Sequence, residues 1–249
     1  MKKILLTITI GLTGLLAETS EAIAQKSFQA ISGYHSSVAQ TRMILKNAQG
    51  VVNTRKLLMK RFERSNGDKS YIEFLFPSDI KGTKLLSYEQ IATDDKQWLY
   101  LPELRRTKRI SSTNKSGSFM ASEFSYEDIS TQNYKNYTYR GNAKKVKMQG
   151  KVYWEVERFP KDANSGYSRQ TAYVDPQTFL IKYGKYYDKQ NRLLKTISFL
   201  KYNNIGGVYR VQHIEIKNVQ NGKSSQLIWD QDQTNMGLTE NDFTKRVLK

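Results

Sequence analysis

Apolar and polar residues alternate with a period of two from residue 41 to residue 231, and this pattern constrains the fold more than any other feature. Such alternation is typical of β-strands that bury one face. Short turns such as Asp175-Pro176, Gly206-Gly207 and Asn221-Gly222 separate the segments. The pattern predicts strands at Thr41–Asn47, Val52–Arg64, Lys69–Phe76, Thr83–Glu89, Gln97–Leu101, Arg105–Ser111, Tyr137–Gln149, Lys151–Phe159, Ser168–Val174, Phe179–Tyr187, Arg192–Tyr202, Val208–Asn218 and Lys223–Gln231.

Consecutive strands with short turns predict an antiparallel meander, because a parallel sheet would need helical crossovers between its strands. A long meander must curl to cover its apolar face, either by closing into a barrel or by wrapping around helices. We therefore expect a mainly β, strongly curved antiparallel sheet in one domain. Short helices are predicted at Lys26–Val38 and after Thr239, where Asp242 completes a capping box.

The N-terminus has the features of an export signal. An apolar run follows Met1-Lys2-Lys3, and Ala22-Ile23-Ala24 forms a small-x-small cleavage site. The run has about 14 residues, which is shorter than the roughly 20 that a membrane-spanning helix needs. We predict a signal peptide at 1–24, cleaved near Ala24, and a single mature domain at 25–249. A retained N-terminal anchor is the alternative.

The chain carries a net charge of +17 and has no cysteine. Without cysteine it can form no disulfide, and no thiolate can act as a nucleophile or a metal ligand. In an exported protein this charge favours contact with phospholipid headgroups or lipopolysaccharide rather than nucleic acid, although self-repulsion that keeps the protein soluble also accounts for it. The sixteen tyrosines suit a cavity that takes both lipid tails and headgroups, because each has an apolar body and a polar edge.

The residue types that carry catalysis are sparse. His35 and His213 lie far apart in sequence and show no metal-ligand spacing. Glu123, Glu127 and Asp128 form an acidic group that could do acid–base chemistry on a lipid headgroup. Pairing with nearby arginines or capping of a helical turn is the simpler interpretation. We predict no enzyme activity, no cofactor and no metal site.

Two predicted strands supply candidate cavity residues. Ile72, Phe74 and Phe76 are alternate residues of one predicted strand, and the charge of Glu73 marks its outer face, so the three are expected to share the inner face of the sheet. We predict that Trp98 and Tyr100 lie on the same concave side. These five residues are candidates for contact with an apolar ligand.

Residues 112–130 interrupt the strand pattern with a segment rich in Ser and Gly. Its large apolar residues are Phe119, Met120, Phe124 and Tyr126. We predict an ordered loop that ends in a helical turn, because large apolar side chains must be buried against the protein or a ligand. In the functional interpretation, residues 116–129 form a lid over the cavity, and its three acidic residues latch it to the basic strand at 105–109. Plain core packing is the alternative.

The basic strand has two interpretations of similar weight. Arg105, Arg106 and Arg109 could form an anion-binding edge, because guanidinium groups match phosphate geometry. They could equally form a solvated face that prevents pairing of the sheet edge with another chain. We predict docking of these arginines on an anionic membrane or a partner.

Four blocks of sequence carry a family resemblance. They are Phe-Pro-Ser-Asp-Ile-Lys-Gly-Thr-Lys-Leu-Leu (76–86), Gln-Trp-Leu-Tyr-Leu-Pro-Glu-Leu-Arg-Arg-Thr-Lys-Arg-Ile (97–110), Gly-Ser-Phe-Met-Ala-Ser-Glu-Phe-Ser-Tyr-Glu-Asp-Ile (117–129) and Asp-Phe-Thr-Lys-Arg-Val-Leu (242–248). Together they resemble the LolA-like outer-membrane lipoprotein-sorting proteins of Gram-negative bacteria, in the branch associated with RND-type exporters. The family usually has Gly where this chain has Ala121 and Asp where it has Glu123, and a Gly there is typical of positive φ.

The resemblance implies a half-open, LolA/LolB-like barrel in which the sheet wraps a few short helices around an apolar cavity. It implies a monomeric periplasmic carrier of lipoprotein acyl chains or other lipid, which ferries its ligand toward the outer membrane. Implied partners are an inner-membrane exporter, an outer-membrane acceptor and, transiently, an anionic membrane. A non-enzymatic scaffold protein of an envelope transport complex is the alternative function.

Overall fold

The computed structural model describes residues 18–91 and 93–249, so most of the predicted signal peptide lies outside the described residues. Helices α1 (Ser20–Ala30) and α2 (Tyr126–Ile129) accompany 3-10 turns at Ser112–Asn114, Phe119–Ala121, Tyr134–Asn136, Glu240–Phe243 and Lys245–Leu248. The strands are β1 (Ser36–Lys46), β2 (Val52–Phe62), β3 (Lys69–Phe76), β4 (Lys84–Tyr88), β5 (Lys96–Leu101), β6 (Arg106–Ile110), β7 (Tyr137–Tyr139), β8 (Lys144–Met148), β9 (Lys151–Pro160), β10 (Arg169–Val174), β11 (Ile181–Tyr187), β12 (Leu193–Ile205), β13 (Val208–Asn218) and β14 (Ser224–Thr234).

The 14 described strands form one curved, unclosed antiparallel sheet, which confirms the predicted fold class. Its order is β6-β5-β4-β3-β2-β1-β14-β13-β12-β11-β10-β9-β7, with β8 paired to β9 beside β7. Two meanders are thus joined side by side through β1 and β14, where Met43 lies opposite Leu227. Strands β6 and β7 lie at opposite edges of the sheet, and the chain between them must cross from one edge to the other.

Helix α1 begins earlier than the sequence predicted. The predicted helix exists, but its bounds of 26–38 are wrong: Thr19 caps a helix that runs from Ser20 to Ala30, and the Thr19 hydroxyl accepts a hydrogen bond from the Ala22 N–H at 3.1 Å. Positive φ at Gly33 (102°) then turns the chain into β1. Thr19 is a preferred N-cap residue, and it lies within the predicted signal peptide.

Helix α1 also spans the position after Ala24 at which cleavage was predicted. Ile23 is fully buried among Val156, Val174 and other apolar residues of the inner face of the sheet, and the Lys26 ammonium lies 2.6 Å from the Glu18 carboxylate. A chain that starts at Gln25 would lack the helix cap and this buried isoleucine. The cleavage position itself stays a prediction.

Residues 111–136, which we call the plug, cross the inner face of the sheet between β6 and β7. Phe119 and Phe124 are buried there, and the ring centroid of Phe119 lies 5.7 Å from that of Phe74. The predicted helical turn is α2, which Ser125 and Asp128 fix as a capping box through bonds of 2.8 and 3.1 Å. The plug therefore supplies much of the core that an open sheet cannot make with itself.

The C-terminal residues cover the outer face of β3–β5. Phe243 and Leu248 are buried there against Tyr71, Leu86 and Trp98. The predicted capping box at Thr239 is confirmed, since Asp242 accepts from the Thr239 N–H at 2.8 Å. Strands β3–β5 are consequently buried on both faces.

This arrangement predicts that Phe119→Ala destabilises the protein by about 3–5 kcal/mol, because it leaves a large void in the core. Phe76→Ala is the matched control, since Phe76 is 50% exposed and its loss should change stability by at most about 0.5 kcal/mol. Urea unfolding followed by tryptophan fluorescence measures both free energies. Similar small losses in the two variants would contradict the placement of Phe119 in the core.

Candidate functional site

An apolar cavity of about 230 Å³ lies between α1, the plug and the inner face of the sheet. Helix α1 contributes Phe28 and Ile31, and the plug contributes Phe124 and Ile129. The inner face forms the floor, on which the apolar lining residues are Ala39, Met59, Ile72, Val156, Ala172, Val174, Ile181, Ile197, Phe199, Tyr202, Val211, Ile214, Leu227 and Trp229. The lining thus comes from both meanders and both covering segments.

The two covering segments are held in different ways. Polar bonds anchor the plug: the Asp128 carboxylate lies 3.1 Å from the Lys195 ammonium with both side chains buried, and the Glu123 N–H donates to the Ser225 hydroxyl at 3.0 Å. Helix α1 is held by apolar packing: Ile23 is fully buried in its N-terminal half, and the Phe28 ring in its C-terminal half lies 5.7 Å from the Tyr134 ring of the plug. Its C-terminal half, with Phe28 and Ile31, lies over the cavity.

The structure divides the predicted cavity residues. Ile72 and Phe124 line the cavity. Phe74 and Phe119 are core residues, with Met120 and Tyr126 packed against the same cluster. By alternation Phe76 belongs to the same face of β3 as Ile72, but it lies at the end of this strand, where half of its surface is exposed. Contact of any of these residues with a ligand stays a prediction.

The prediction that Trp98 and Tyr100 share the concave face of Ile72 is wrong. Strand pairing places Ile72 opposite Leu85, and Leu85 opposite Leu99, so Leu99 is the residue of β5 on the inner face. Trp98 packs instead on the outer face against the C-terminal residues. In β5 the alternation could not show which side chains face inward, because apolar residues occupy both faces of this strand.

The predicted latch between the plug and the basic strand is also absent from the described residues. Glu127 accepts from the Ser165 hydroxyl and the Gly166 N–H, both at 2.8 Å. Asp128 binds Lys195 and the Tyr167 hydroxyl, and Glu123 accepts from the Asn218 amide at 2.8 Å. Each acid thus holds the plug to β12, to the β13–β14 turn or to the loop before β10, and none of them contacts β6.

Two carboxyl groups around the plug have strongly raised pKa values. Burial raises the pKa of Glu89 to about 8, and its carboxylate accepts from the Asp68 N–H at 2.9 Å. Burial, with the neighbouring charge of Asp128, raises the pKa of Glu127 to about 7. Near pH 7 Glu89 therefore favours the protonated form in the folded protein, whereas Glu127 is about half protonated.

Arg158 on β9 is a buried, charged residue of the lining that the sequence analysis did not predict. It is 7% exposed and lies on the inner face with Val156, which precedes it by two residues. A charge at an inward position of an alternating strand is a detectable signal, since isolated buried charges are strongly unfavourable. Arg210 also lines the cavity, but Asp232 neutralises it at 3.0 Å.

The basic strand lies where an anionic surface could reach it. Arg105, Arg106 and Arg109 are exposed on or beside β6, the free edge of the sheet, and none of the ion pairs among the described residues includes them. Leu104, at the tip of the β5–β6 hairpin, is 67% exposed. Phe76, the last residue of β3, is 50% exposed. Cationic and apolar side chains thus occur together at this end of the sheet.

The described part of the chain offers no group of three or more His, Cys, Asp or Glu residues that could hold a metal ion. No helix in residues 18–91 and 93–249 is long and apolar enough to cross a membrane.

The raised pKa of Glu89 predicts a pH-dependent stability. Because the folded-state pKa lies above the unfolded value of about 4.3, this group's stabilising contribution is complete at low pH and is lost as pH rises toward 8. The slope is at most about 1.4 kcal/mol per pH unit for one group. Free energies of unfolding in urea at pH 5, 6.5 and 8 should fall less steeply for Glu89→Gln than for the wild type. Identical slopes would contradict this prediction.

Comparisons with known proteins identify the family. A family model described as "Uncharacterized protein" matches residues 66–249. A crystal structure described as an outer membrane lipoprotein-sorting protein domain from Vibrio parahaemolyticus is 39% identical, with a TM-score of 0.88 over 92% of this chain and 97% of that one. A DUF1329 family protein from Desulfovibrio piger is 28% identical, with a TM-score of 0.86 over 92% and 98% of the two chains.

A LolA superfamily protein from Nitrosomonas europaea shares the fold, with a TM-score of 0.76 and 18% identity over 92% of this chain and 99% of that one. No curated protein matches the sequence. The residues quoted for the resemblance, the open sheet with its plug, and these similarities agree: the chain has a LolA-like fold and belongs to the family of outer-membrane lipoprotein-sorting proteins.

Proposed function

We propose that this protein is a periplasmic carrier that shelters acyl chains of a lipid or lipoprotein and delivers them toward the outer membrane. The observation that carries the proposal is the apolar cavity between α1, the plug and the sheet. Each methylene moved from water into such a site contributes about 0.8 kcal/mol, so binding needs no covalent bond. Release then requires a competing apolar site rather than chemistry.

The size of the cavity indicates how loading proceeds. A volume of about 230 Å³ is below the roughly 300–1,000 Å³ of pockets that enclose drug-sized ligands. As it stands, the cavity suits a segment of one acyl chain, and a larger lipid must displace a wall. Helix α1 is the wall that moves, because its C-terminal half lacks the buried ion pair that anchors the plug.

A scaffold role in an envelope transport complex, beside an RND-type exporter, is the second candidate. It is favoured by the plug, because Phe119, Phe124 and Ile129 fill much of the inner face with the chain's own side chains. Acid–base catalysis on a headgroup has less support. Glu123, Glu127 and Asp128 are all engaged in contacts that hold the plug.

The carrier proposal predicts that Ala39→Phe blocks the cavity. Ala39 is 3% exposed and lines the cavity from β1, so a phenyl ring there competes with an acyl chain for the same space. Gln40→Phe is the control, since Gln40 is exposed on the opposite face of the same strand.

Fluorescence of the neutral apolar probe N-phenyl-1-naphthylamine measures binding to the wild type and both variants, with circular dichroism as the check of folding. We expect at least about tenfold weaker binding for folded Ala39→Phe and no change for Gln40→Phe, a difference of about 1.4 kcal/mol. A wild type that binds neither the probe nor co-purifying lipid would overturn the carrier and leave the scaffold.

We further propose that the exposed end of the sheet at Leu104 and Phe76 docks on an anionic membrane through Arg105, Arg106 and Arg109. Apolar side chains can enter the interface while the guanidinium groups bind phosphate oxygens. A basic residue near such a surface contributes about 1 kcal/mol.

Replacement of these three arginines by glutamine should therefore weaken binding to phosphatidylglycerol vesicles by up to about 100-fold and flatten its salt dependence. The matched control is Lys144, Lys145 and Lys147 replaced by glutamine, because these exposed lysines of β8 lie at the other edge of the sheet. Vesicle co-sedimentation at several salt concentrations measures both. Equal losses in the two triple variants would leave only a non-specific charge effect.

A further inference from the structure

We infer that the cavity is built for an amphiphile with an anionic headgroup, a carboxylate or a phosphate, and that Arg158 binds that headgroup. The inference rests on the proposed function, because it names the class of ligand that the carrier takes. It goes beyond an apolar cavity, which by itself would favour any acyl chain.

Among the described residues, the polar groups that contact the Arg158 guanidinium are uncharged. Its Nε donates to the Gln170 Oε1 at 2.7 Å and its Nη2 donates to the Gln132 Oε1 at 3.4 Å. The guanidinium carbon lies 4.2 Å from the ring centroid of Tyr137, and the Tyr186 hydroxyl lies beside the group. Burial raises the pKa of both tyrosines, so their hydroxyls are neutral at physiological pH.

The carboxylates that line the cavity are engaged with other groups: Glu63 accepts from the His35 N–H at 2.7 Å, and Asp68 accepts from the Arg64 N–H at 3.2 Å. Within the described residues, no ion pair includes Arg158. The Asp128 carboxylate lines the cavity, but it pairs with Lys195 and accepts from the Tyr167 hydroxyl at 2.8 and 2.9 Å. Arg158 therefore keeps a buried positive charge with no counter-ion in the part of the chain that the structure describes.

Such a charge is costly and cannot be relieved by deprotonation. A guanidinium stays protonated in proteins, and removal of a charge from water without a partner costs several kcal/mol. The tyrosine ring and the two glutamine oxygens offset part of this cost. An anion delivered by the ligand would supply the missing counter-charge, since the planar guanidinium matches two oxygens of a carboxylate or phosphate.

The other basic residues of the cavity differ from Arg158. Arg210 pairs with Asp232, while Lys60 and Arg61 are partly exposed to water. Among the described residues that line the cavity, Arg158 is thus the buried cation that forms no ion pair with a carboxylate. Its position beside Val156 places the charge next to the apolar floor, as an amphiphile with an adjacent chain and headgroup requires.

The test compares decanoate, decyl phosphate and 1-decanol as competitors of N-phenyl-1-naphthylamine at pH 8, where decanoate is ionised. We expect the two anions to displace the probe from the wild type at concentrations at least about tenfold below that of decanol. Arg158→Gln should remove this preference and leave displacement by decanol unchanged. Arg169→Gln is the matched control, because Arg169 pairs with Glu157 and is one position removed from the inward-facing Gln170 on β10.

The outcomes separate this inference from the carrier proposal. Equal displacement by decanoate, decyl phosphate and decanol in the wild type would overturn the headgroup site and leave the carrier intact. A preference for anions that survives in Arg158→Gln would overturn the role of Arg158. If no competitor and no probe binds the wild type, both proposals fail. Preference for only one of the anions identifies a carboxylate or a phosphate as the headgroup, and the wild-type comparison holds even if Arg158→Gln does not fold.

Discussion

The pairing of β1 with β14 is the contact on which the rest of the structure depends. β1 and β14 are the first and last strands in sequence, and their pairing places both in the middle of the sheet. The edge strands are then β6 and β7, which follow one another in sequence. The segment between them must then travel across the inner face. Because the edges do not pair with each other, the sheet stays open, and this segment becomes the plug that buries the apolar surface the sheet leaves exposed.

The plug is held at some conformational cost. Met120 and Ala121 adopt left-handed backbone angles, with φ of 50° and 59°, which cost an L-residue about 1–2 kcal/mol each. The positive φ at Ala121 agrees with the glycine that the family usually has there. The Arg55 guanidinium donates to the Met120 carbonyl, and the buried pair of Asp128 and Lys195 fixes the far end. Long-range polar contacts thus stabilise a turn that local preferences disfavour.

The alternation of apolar and polar residues predicted the strand bounds that depend mainly on residues near in sequence. The alternation placed β3 at Lys69–Phe76 and β13 at Val208–Asn218, the same bounds as in the structure. The alternation failed for Trp98. The plug covers one face of β5 and the C-terminal residues cover the other, so the side chains on both faces of this strand are apolar. Neither covering segment can be inferred from β5 alone, since each comes from a distant part of the chain.

The candidate site was predicted less completely for the same reason. The aromatic residues of the plug were identified, but whether each becomes core or cavity wall depends on where the plug crosses the sheet. Phe119 meets Phe74 over β3, whereas Phe124 lies a few residues farther along and reaches the cavity. The charge of Arg158 was visible in the sequence, but its lack of a counter-ion is a property of the folded arrangement.

The cavity itself is difficult to explain by stability alone. The apolar side chains that line it make fewer contacts with neighbouring atoms than they would in a filled core. A larger side chain at Ala39 or Ala172 would add such contacts and narrow the cavity. An apolar cavity with small residues in its wall and a buried cation beside them agrees with the proposed binding of an amphiphile.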